Sequence, residues 1–517
     1  MADLRAAAVK AISAGDLALA ARHCDALEAA DKSAPDAWVF RSRIAQKRSD
    51  YRGAAAASTK AAALAPDRLD VKIVDAECRM FAGDVAGALG LLDHVAAAPE
   101  AGEEDLKRTS ALLTQLGRHQ GAYDCAKTVM AISGNRSNSR YLVASTAIAV
   151  GKMEEAERLL DEVIAETPGE GDVYYNRAGL RRQTKERNHI TATMKALLKL
   201  PRGDHGEAPL CYALGKELED VGDHPKAFAA FSQGAAARRK QLSYDVSTDV
   251  QAAQGIRETF NASWAAQTPD GNDISGPIFI LGLPRSGTTL VDRIVSAHSQ
   301  VTSLEEVHDF AYAVIRAGFP AASKEVLMAN AAKANMVSLG EEYWTALEGY
   351  AEPGPHFIDK TPANFLYLGL IAKALPKAKI IHVKRHPLAA CYAMFKTLFR
   401  MGYPFSYDLQ DVAQYYVAYH RLMAHWHAVF PGRILDVQYE SLVDDQEAIS
   451  REIIAHCGLG WEDAALDFHK NAAPSATASA AQVRQPIYRS ARDLWRQHAA
   501  GLAPARAILE ENGIPCA

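Results

Sequence analysis

Gly15, Ser49, Gly83, Gly117 and Gly151 stand 34 residues apart, and five residues beyond each comes an alanine: Ala20, Ala54, Ala88, Ala122 and Ala156. The surrounding stretches read AGDLALA, RSDYRGA, AGDVAGA, LGRHQGA and VGKMEEA, and VGDHPKA adds a further copy with Gly222 and Ala227. A glycine or serine at such a point ends one helix in a tight turn, and a small alanine lets the next helix approach closely. Between the turns apolar residues recur at helical spacing, as in AERLLDEVI from Ala156 to Ile164. Pro66 and Pro168 close two units at equivalent positions, and Trp38 opens one. Alanine is abundant here, so the alanines alone would say little; their joint register with the glycines marks a repeat. The register slips between Gly171 and Leu200, where Lys185 and Ile190 occupy the expected turn and alanine positions, so this unit is divergent or an adapter. Stacked hairpins of this kind form a curved solenoid whose concave face suits a protein or peptide partner.

The pattern resembles the tetratricopeptide repeat, and it assigns residues 1–240 to an all-α solenoid. The whole chain of 517 residues is too long for one ordinary core. From about Lys240 the pattern changes: residues 241–275 read as a connecting helix followed by the turn-rich linker TPDGNDISGP, and 276–517 as a different domain. The net charge of -5 offers no general footprint for nucleic acid or an anionic membrane. Seven scattered cysteines without a C-x-x-C pair argue against a disulfide framework or zinc site and fit a reducing cytoplasm. The N-terminus lacks the basic-then-apolar pattern of a signal peptide, and no run of 18 uncharged apolar residues reads as a membrane span.

The second domain opens with PIFILGLPRSGTTLVDRIVSAH, which reads as a buried strand, a glycine-bounded loop, and an amphipathic helix beginning near Ser286. Unpaired N–H groups at a helix start make an anion site. Thr288 and Thr289 add hydroxyl donors, and Arg285 adds a forked, permanently charged donor. Gly282 and Gly287 have the spacing of a triphosphate-binding loop, yet Thr288 stands where its lysine belongs. A transferred group with less charge than a γ-phosphoryl, such as a sulfuryl group bonded to a phosphate, does not need that lysine.

PRSGTT after an apolar strand resembles the 5′-phosphosulfate loop of sulfotransferases that use 3′-phosphoadenosine 5′-phosphosulfate (PAPS). The best match is the tyrosylprotein sulfotransferase group and its bacterial relatives with tetratricopeptide repeats. The resemblance spans Pro277 to about His498 and implies an α/β fold of the P-loop type with a mostly parallel sheet. It places the donor on Arg285, Ser286, Gly287, Thr288 and Thr289, the 3′-phosphate on Arg385 in KAKIIHVKRHPLAACYAMF, and a cofactor-contacting tyrosine at Tyr439 in VQYESLV. Ser479 and Arg484 fall in a late loop that closes over the nucleotide. Glu306 in SLEEVHDF falls on the general base, with Glu305 beside it, and Lys360 in FIDKTPAN on a lysine that assists transfer at the bridging oxygen. No metal is implied.

The chain departs from the family at two points: Ala393 stands where a serine usually binds the 3′-phosphate, and Leu494 precedes Trp495 where a basic residue is common. Lys396, Arg492 and Arg496 are candidates to compensate. The sequence therefore carries three readings: a PAPS-dependent sulfotransferase acting on a hydroxyl such as a protein tyrosine, a repeat-based adaptor with a degenerate second domain, and an ATP-dependent kinase. The kinase lacks the loop lysine and an evident strand aspartate for magnesium. His420, His425 and His427, and the aromatics of AQYYVAYHRLMAHW, read as helix-surface or core residues, while His308 and His382 lie close enough to the motifs to suggest acceptor-side roles.

Overall fold

The computed structural model describes residues 1–201, 203–350, 354–400, 402–471, 487 and 490–517. Its first half consists of antiparallel helix pairs: Ala2–Ser13 with Leu17–Ala30, Pro35–Lys47 with Tyr51–Leu64, Leu69–Ala82 with Val85–Ala97, Glu103–Gln115 with His119–Ile132, and Ser137–Ala149 with Met153–Glu166. Each pair turns on a predicted residue with positive φ, Ser49 at 59° among the glycines. The alanines five residues on are buried to 1% exposure or less. Three of these pairs, and the later pair Glu207–Asp220 with His224–Arg239, also cap the second helix with an aspartate: Asp16, Asp50, Asp84 and Asp223 accept from backbone N–H groups of the first turn.

The divergent unit keeps its second helix, Ile190–Lys199, but its first is shortened to Gly171–Gly179. The stretch between them is held from outside: the Gln183 N–H donates to Asp220 at 2.8 Å and the His189 N–H to Glu217 at 2.6 Å. The connecting region forms helices Val246–Thr259 and Ala262–Gln267 before the chain enters a sheet.

That sheet has five strands: β1 (Pro277–Gly282), β2 (Val301–Ser303), β3 (His356–Asp359), β4 (Lys379–Lys384) and β5 (Ile434–Gln438). All pairings are parallel, in the order β2-β3-β1-β4-β5. The central β1 is buried at all six positions, as its unbroken apolar run requires. The chain leaves β1 to one side for β2 and β3 and crosses to the other for β4 and β5, so its C-terminal end is where loops diverge and a crevice opens. The predicted aromatic helix is Leu409–Val429, with Tyr416, Tyr419 and Trp426 in the core.

The two halves share one apolar core, which runs from Ile73, Leu92 and Leu113 of the repeats to Phe279, Phe310 and Leu347. Their contacts follow the repeat register. The residue two positions beyond each turn residue begins the second helix, and successive repeats aim it at the sheet domain. Tyr51 lies edge-on to Tyr312 at 5.8 Å between ring centres, and Val85 packs on Gly349. His119 meets Glu305 at 2.8 Å, and His224 lies 5.3 Å ring-to-ring from His498. Glu219 adds a buried junction with Lys396, Tyr392 and His498.

Candidate functional site

The loop after β1 is wound more tightly than an ordinary strand–helix turn. Arg285 adopts φ 66° and Gly287 φ 110°, and the helix Thr288–Ser296 begins two residues later than the sequence pattern suggests. A non-glycine residue held in the left-handed region costs roughly 1–2 kcal/mol, so Arg285 must be fixed by its neighbours. One is Arg385, which leaves β4 and donates through Nη1 to the Arg285 carbonyl at 2.9 Å. Gly287 admits no side chain: a Cβ there would lie 2.6 Å from Cδ2 of Tyr439. Tyr439, directly after β5, in turn lies under the Arg385 guanidinium at 4.7 Å. Burial pushes the Tyr439 phenol up, against the pull of Arg385 and Arg285. The sequence-predicted residues from three strand ends therefore converge.

The same loop holds buried polar groups. Ser286, Thr288 and Thr289 are all buried, and the Ser286 hydroxyl has no hydrogen-bond partner. A buried hydroxyl without a partner is costly, and at a helix N-terminus it suits an anion's oxygen. Ser286 and Arg385 also line a cavity of about 180 Å³ beneath the loop.

A second cluster adjoins this one. Lys360, just past β3, is fully buried and its Nζ donates to Glu306 at 2.6 Å, while the Glu306 side chain is 41% exposed. The carboxylate is thus open to water while the ammonium is desolvated. The segment carrying Glu306 is stitched to β3's extension: the Lys360 N–H donates to the Glu305 carbonyl at 2.9 Å and the Thr361 hydroxyl to the Val307 carbonyl at 2.6 Å. Glu305 itself takes φ 58°. One helical turn below Thr288, Asp292 is buried close enough to Lys360 to feel its charge; burial raises its carboxyl above the usual range while Lys360 and a Ser303 hydrogen bond oppose the shift.

Ser479 and Arg484 lie outside the described residues. Ala393 is buried in the helix Pro387–Phe395 and offers no hydroxyl. Lys396, Arg492 and Arg496 are each engaged by a carboxylate, Glu219, Asp444 and Asp493 respectively. His308 precedes the helix Asp309–Gly318 with its ring 6.2 Å from Tyr312. His382 is buried on β4, its Nδ1 2.7 Å from Asp436 and its Nε2 bonded to the Tyr419 hydroxyl.

His427 reads from the sequence as a helix-surface or core residue; in three dimensions it lies with His382 and Asp436, the set among the described residues with the right donors for a metal ion. Here Asp436 Oδ1 lies within hydrogen-bond distance of both imidazoles, at 2.7 and 3.0 Å, and Lys384 lies 3.2 Å from Oδ2, so the carboxylate is already balanced by hydrogen bonds and charge. The sequence reading also missed His119. Its signal was a polar residue where four other repeats carry Leu17, Tyr51, Val85 and Met153.

Comparison with known proteins points to a family for the sheet domain. Residues 277–463 match the model of the sulfotransferase family. An uncharacterised protein of Aquifex aeolicus is 29% identical over 379 residues, 70% of this chain and 49% of its own length. A Drosophila melanogaster protein-tyrosine sulfotransferase is 25% identical over 231 residues, 42% of this chain and 46% of its own length. The chain thus spans about half the length of these curated relatives. Among solved structures, the sulfotransferase domain of a Synechococcus olefin synthase is 21% identical, covering 48% of this chain and 99% of that one, with a TM-score of 0.35. Among the described residues no helix is long and apolar enough to cross a membrane. Helical hairpins of the 34-residue tetratricopeptide kind thus lead into a parallel-sheet domain, and residues 277–463 of that domain match the sulfotransferase family model.

Proposed function

We propose that the chain transfers a sulfuryl group from PAPS to a hydroxyl acceptor, with the repeats recruiting the acceptor or a protein partner on their concave face. The observation that carries this reading is the buried, unpartnered Ser286 hydroxyl at a helix N-terminus, ringed by Arg285, Arg385 and Tyr439. Those residues fit the donor: Arg285, Ser286, Gly287, Thr288 and Thr289 hold its 5′ end, Arg385 its 3′-phosphate, and Tyr439 shapes the loop between them. PAPS supplies a sulfuryl group on a good phosphate leaving group.

The chain's own residues do the rest. Glu306, half-exposed, accepts the proton of the acceptor hydroxyl, whose ordinary pKa of about 10 for a phenol requires such a base. As the acceptor oxygen forms its bond to sulfur, the bond from sulfur to the bridging phosphate oxygen breaks. Lys360 and Arg285 meet the charge that develops on that oxygen and on the sulfuryl oxygens. Lys360 is already desolvated, so little reorganisation is needed. A protein tyrosine is one acceptor in keeping with the Drosophila relative's name. The seven buried, free thiols support a reducing compartment such as the cytoplasm.

The adaptor reading is favoured by one observation: no hydroxyl at Ala393, with Lys396, Arg492 and Arg496 all engaged elsewhere. Calorimetry with 3′-phosphoadenosine 5′-phosphate separates the two. Micromolar-range binding (about -8 kcal/mol) that disappears in Arg285→Ala supports the enzyme. No binding by the intact chain refutes it, whereas full transfer of radioactive sulfur by Glu306→Ala and Lys360→Ala refutes only the roles given to those two residues.

A further inference from the structure

We propose that His119, in the fourth repeat, is a positioning residue for the sulfuryl-transfer site, so that the repeat half directly sets the geometry of the segment that carries Glu306. This rests on the activity proposed above and names a part of the molecule that activity did not include.

His119 begins the helix His119–Ile132, and its side chain is 4% exposed. Its Nε2 lies 2.8 Å from Glu305 Oε2, while its Nδ1 is buried without a hydrogen-bond partner. The proton therefore sits on Nε2 and points at Glu305. An imidazole buried with one bare nitrogen is a poor choice for packing alone, and neighbouring repeats fill the same position with Val85 and Met153.

What His119 holds is a backbone that does not hold itself. Glu305 occupies the left-handed region at φ 58°, a conformation that persists only where surrounding bonds determine it. Those bonds arrive from three parts of the chain. The Glu305 N–H donates to Ser303 Oγ at 3.1 Å, its carbonyl accepts from the Lys360 N–H at 2.9 Å, and its carboxylate takes His119. The next residue is Glu306, whose carboxylate must face both Lys360 and an incoming hydroxyl. Rotation at Glu305 swings Glu306 out of register with Lys360. A small misplacement of a reacting group lowers turnover far more than it lowers binding of a donor held elsewhere.

The test uses the full chain with His119→Met, the apolar choice of the next repeat, and His119→Gln, whose amide Nε2 can donate from nearly the same place. Hydrogen exchange of residues 301–308 is expected to speed up about tenfold in His119→Met and to return close to the wild-type rate in His119→Gln. Turnover is expected to fall about tenfold in His119→Met with KM for PAPS changed less than about twofold, and to recover substantially in His119→Gln. Unchanged exchange in His119→Met, or a glutamine variant no better than the methionine one in either readout, overturns the proposal. A wild-type chain that neither binds 3′-phosphoadenosine 5′-phosphate nor transfers sulfur defeats the activity instead, and the exchange comparison then still decides whether His119 holds the segment.

Discussion

The repeat half and the sheet half treat buried polar side chains differently. In the repeats, Ser42, Ser110 and Ser139 each donate to a backbone carbonyl at 2.8 Å, two of them three residues away and the third across one hairpin. In the sheet half the buried groups include ionisable ones, Asp292, Asp359 and Lys360, and the partner of Lys360 comes from a distant part of the chain. Lys360 and Glu306 are 54 residues apart. Local closure of a hydroxyl stabilises a shape by about 1 kcal/mol and can be removed without leaving a charge. The long-range pair is one-sided: taking away Glu306 strands the buried Lys360, whereas taking away Lys360 leaves a carboxylate that water reaches. Those serines are therefore placed to tolerate change, and a buried charge such as Lys360 is not.

The sharpest break in that contrast is Lys360→Ala. Transfer should fall about 10²–10³-fold, as for loss of one group that stabilises transition-state charge, while thermal unfolding moves little because Glu306 can reach water. A rate within a few-fold of wild type would end Lys360's role. Next comes Glu219→Gln, at the junction of the halves. Burial pushes the Glu219 carboxyl up, but Lys396, His498 and Tyr392 together bring it down to about 2. Removing the charge should destabilise the chain by about 3 kcal/mol and leave Lys396 unpaired, with turnover at 25 °C scarcely altered. Denaturant unfolding checks the first and initial rates the second. Equal losses in both would mean that docking and catalysis are not separable.

A smaller effect is expected at Gly287→Ala, where a methyl at φ 110° meets Tyr439. Binding of 3′-phosphoadenosine 5′-phosphate should weaken about tenfold, with unfolding shifted by about 1–2 kcal/mol. Unaltered affinity by calorimetry would remove the loop from the donor site. The smallest is a pH effect. Burial pushes the Asp359 carboxyl up to about 7, against hydrogen bonds from Thr361, Tyr343 and Asn364. The folded chain thus keeps a proton that the unfolded chain has released. This contribution is complete below an ordinary carboxyl pKa of 3.8 and disappears as pH rises through about 7. Stability should therefore decline between about pH 4 and 7, by at most about 1.4 kcal/mol per pH unit, and Asp359→Asn should remove that part of the fall in melting temperature. Identical slopes in the two proteins would contradict it.

The contrast also explains what could be read before any coordinates. The repeats were legible because a turn glycine and a small alanine act within a few residues of each other. PRSGTT was legible because strand, loop and helix are contiguous. Glu306 and Lys360 came only through resemblance and as separate residues; their pairing was not legible, since nothing local tells residue 306 where residue 360 will lie. His119 and Asp292 were passed over for the same reason. The rotation between successive hairpins decides which repeat faces Glu305, and that angle accumulates from many small side-chain contacts. The helix start, expected near Ser286 and found at Thr288, moved because Gly287 and Arg285 occupy the left-handed region.

The alignment of Tyr51, Val85, His119 and His224 along the dock gives the solenoid a phase. Its 34-residue step works as a vernier against the fixed scale of the sheet domain, and only one setting brings an imidazole to Glu305. Adding or deleting a whole hairpin ahead of the one that carries Tyr51 would leave that setting untouched. The same change between His119 and the sheet would slide the scale by one notch and present a valine or a methionine instead. Repeat number is thus free to vary ahead of the second hairpin and locked from there on.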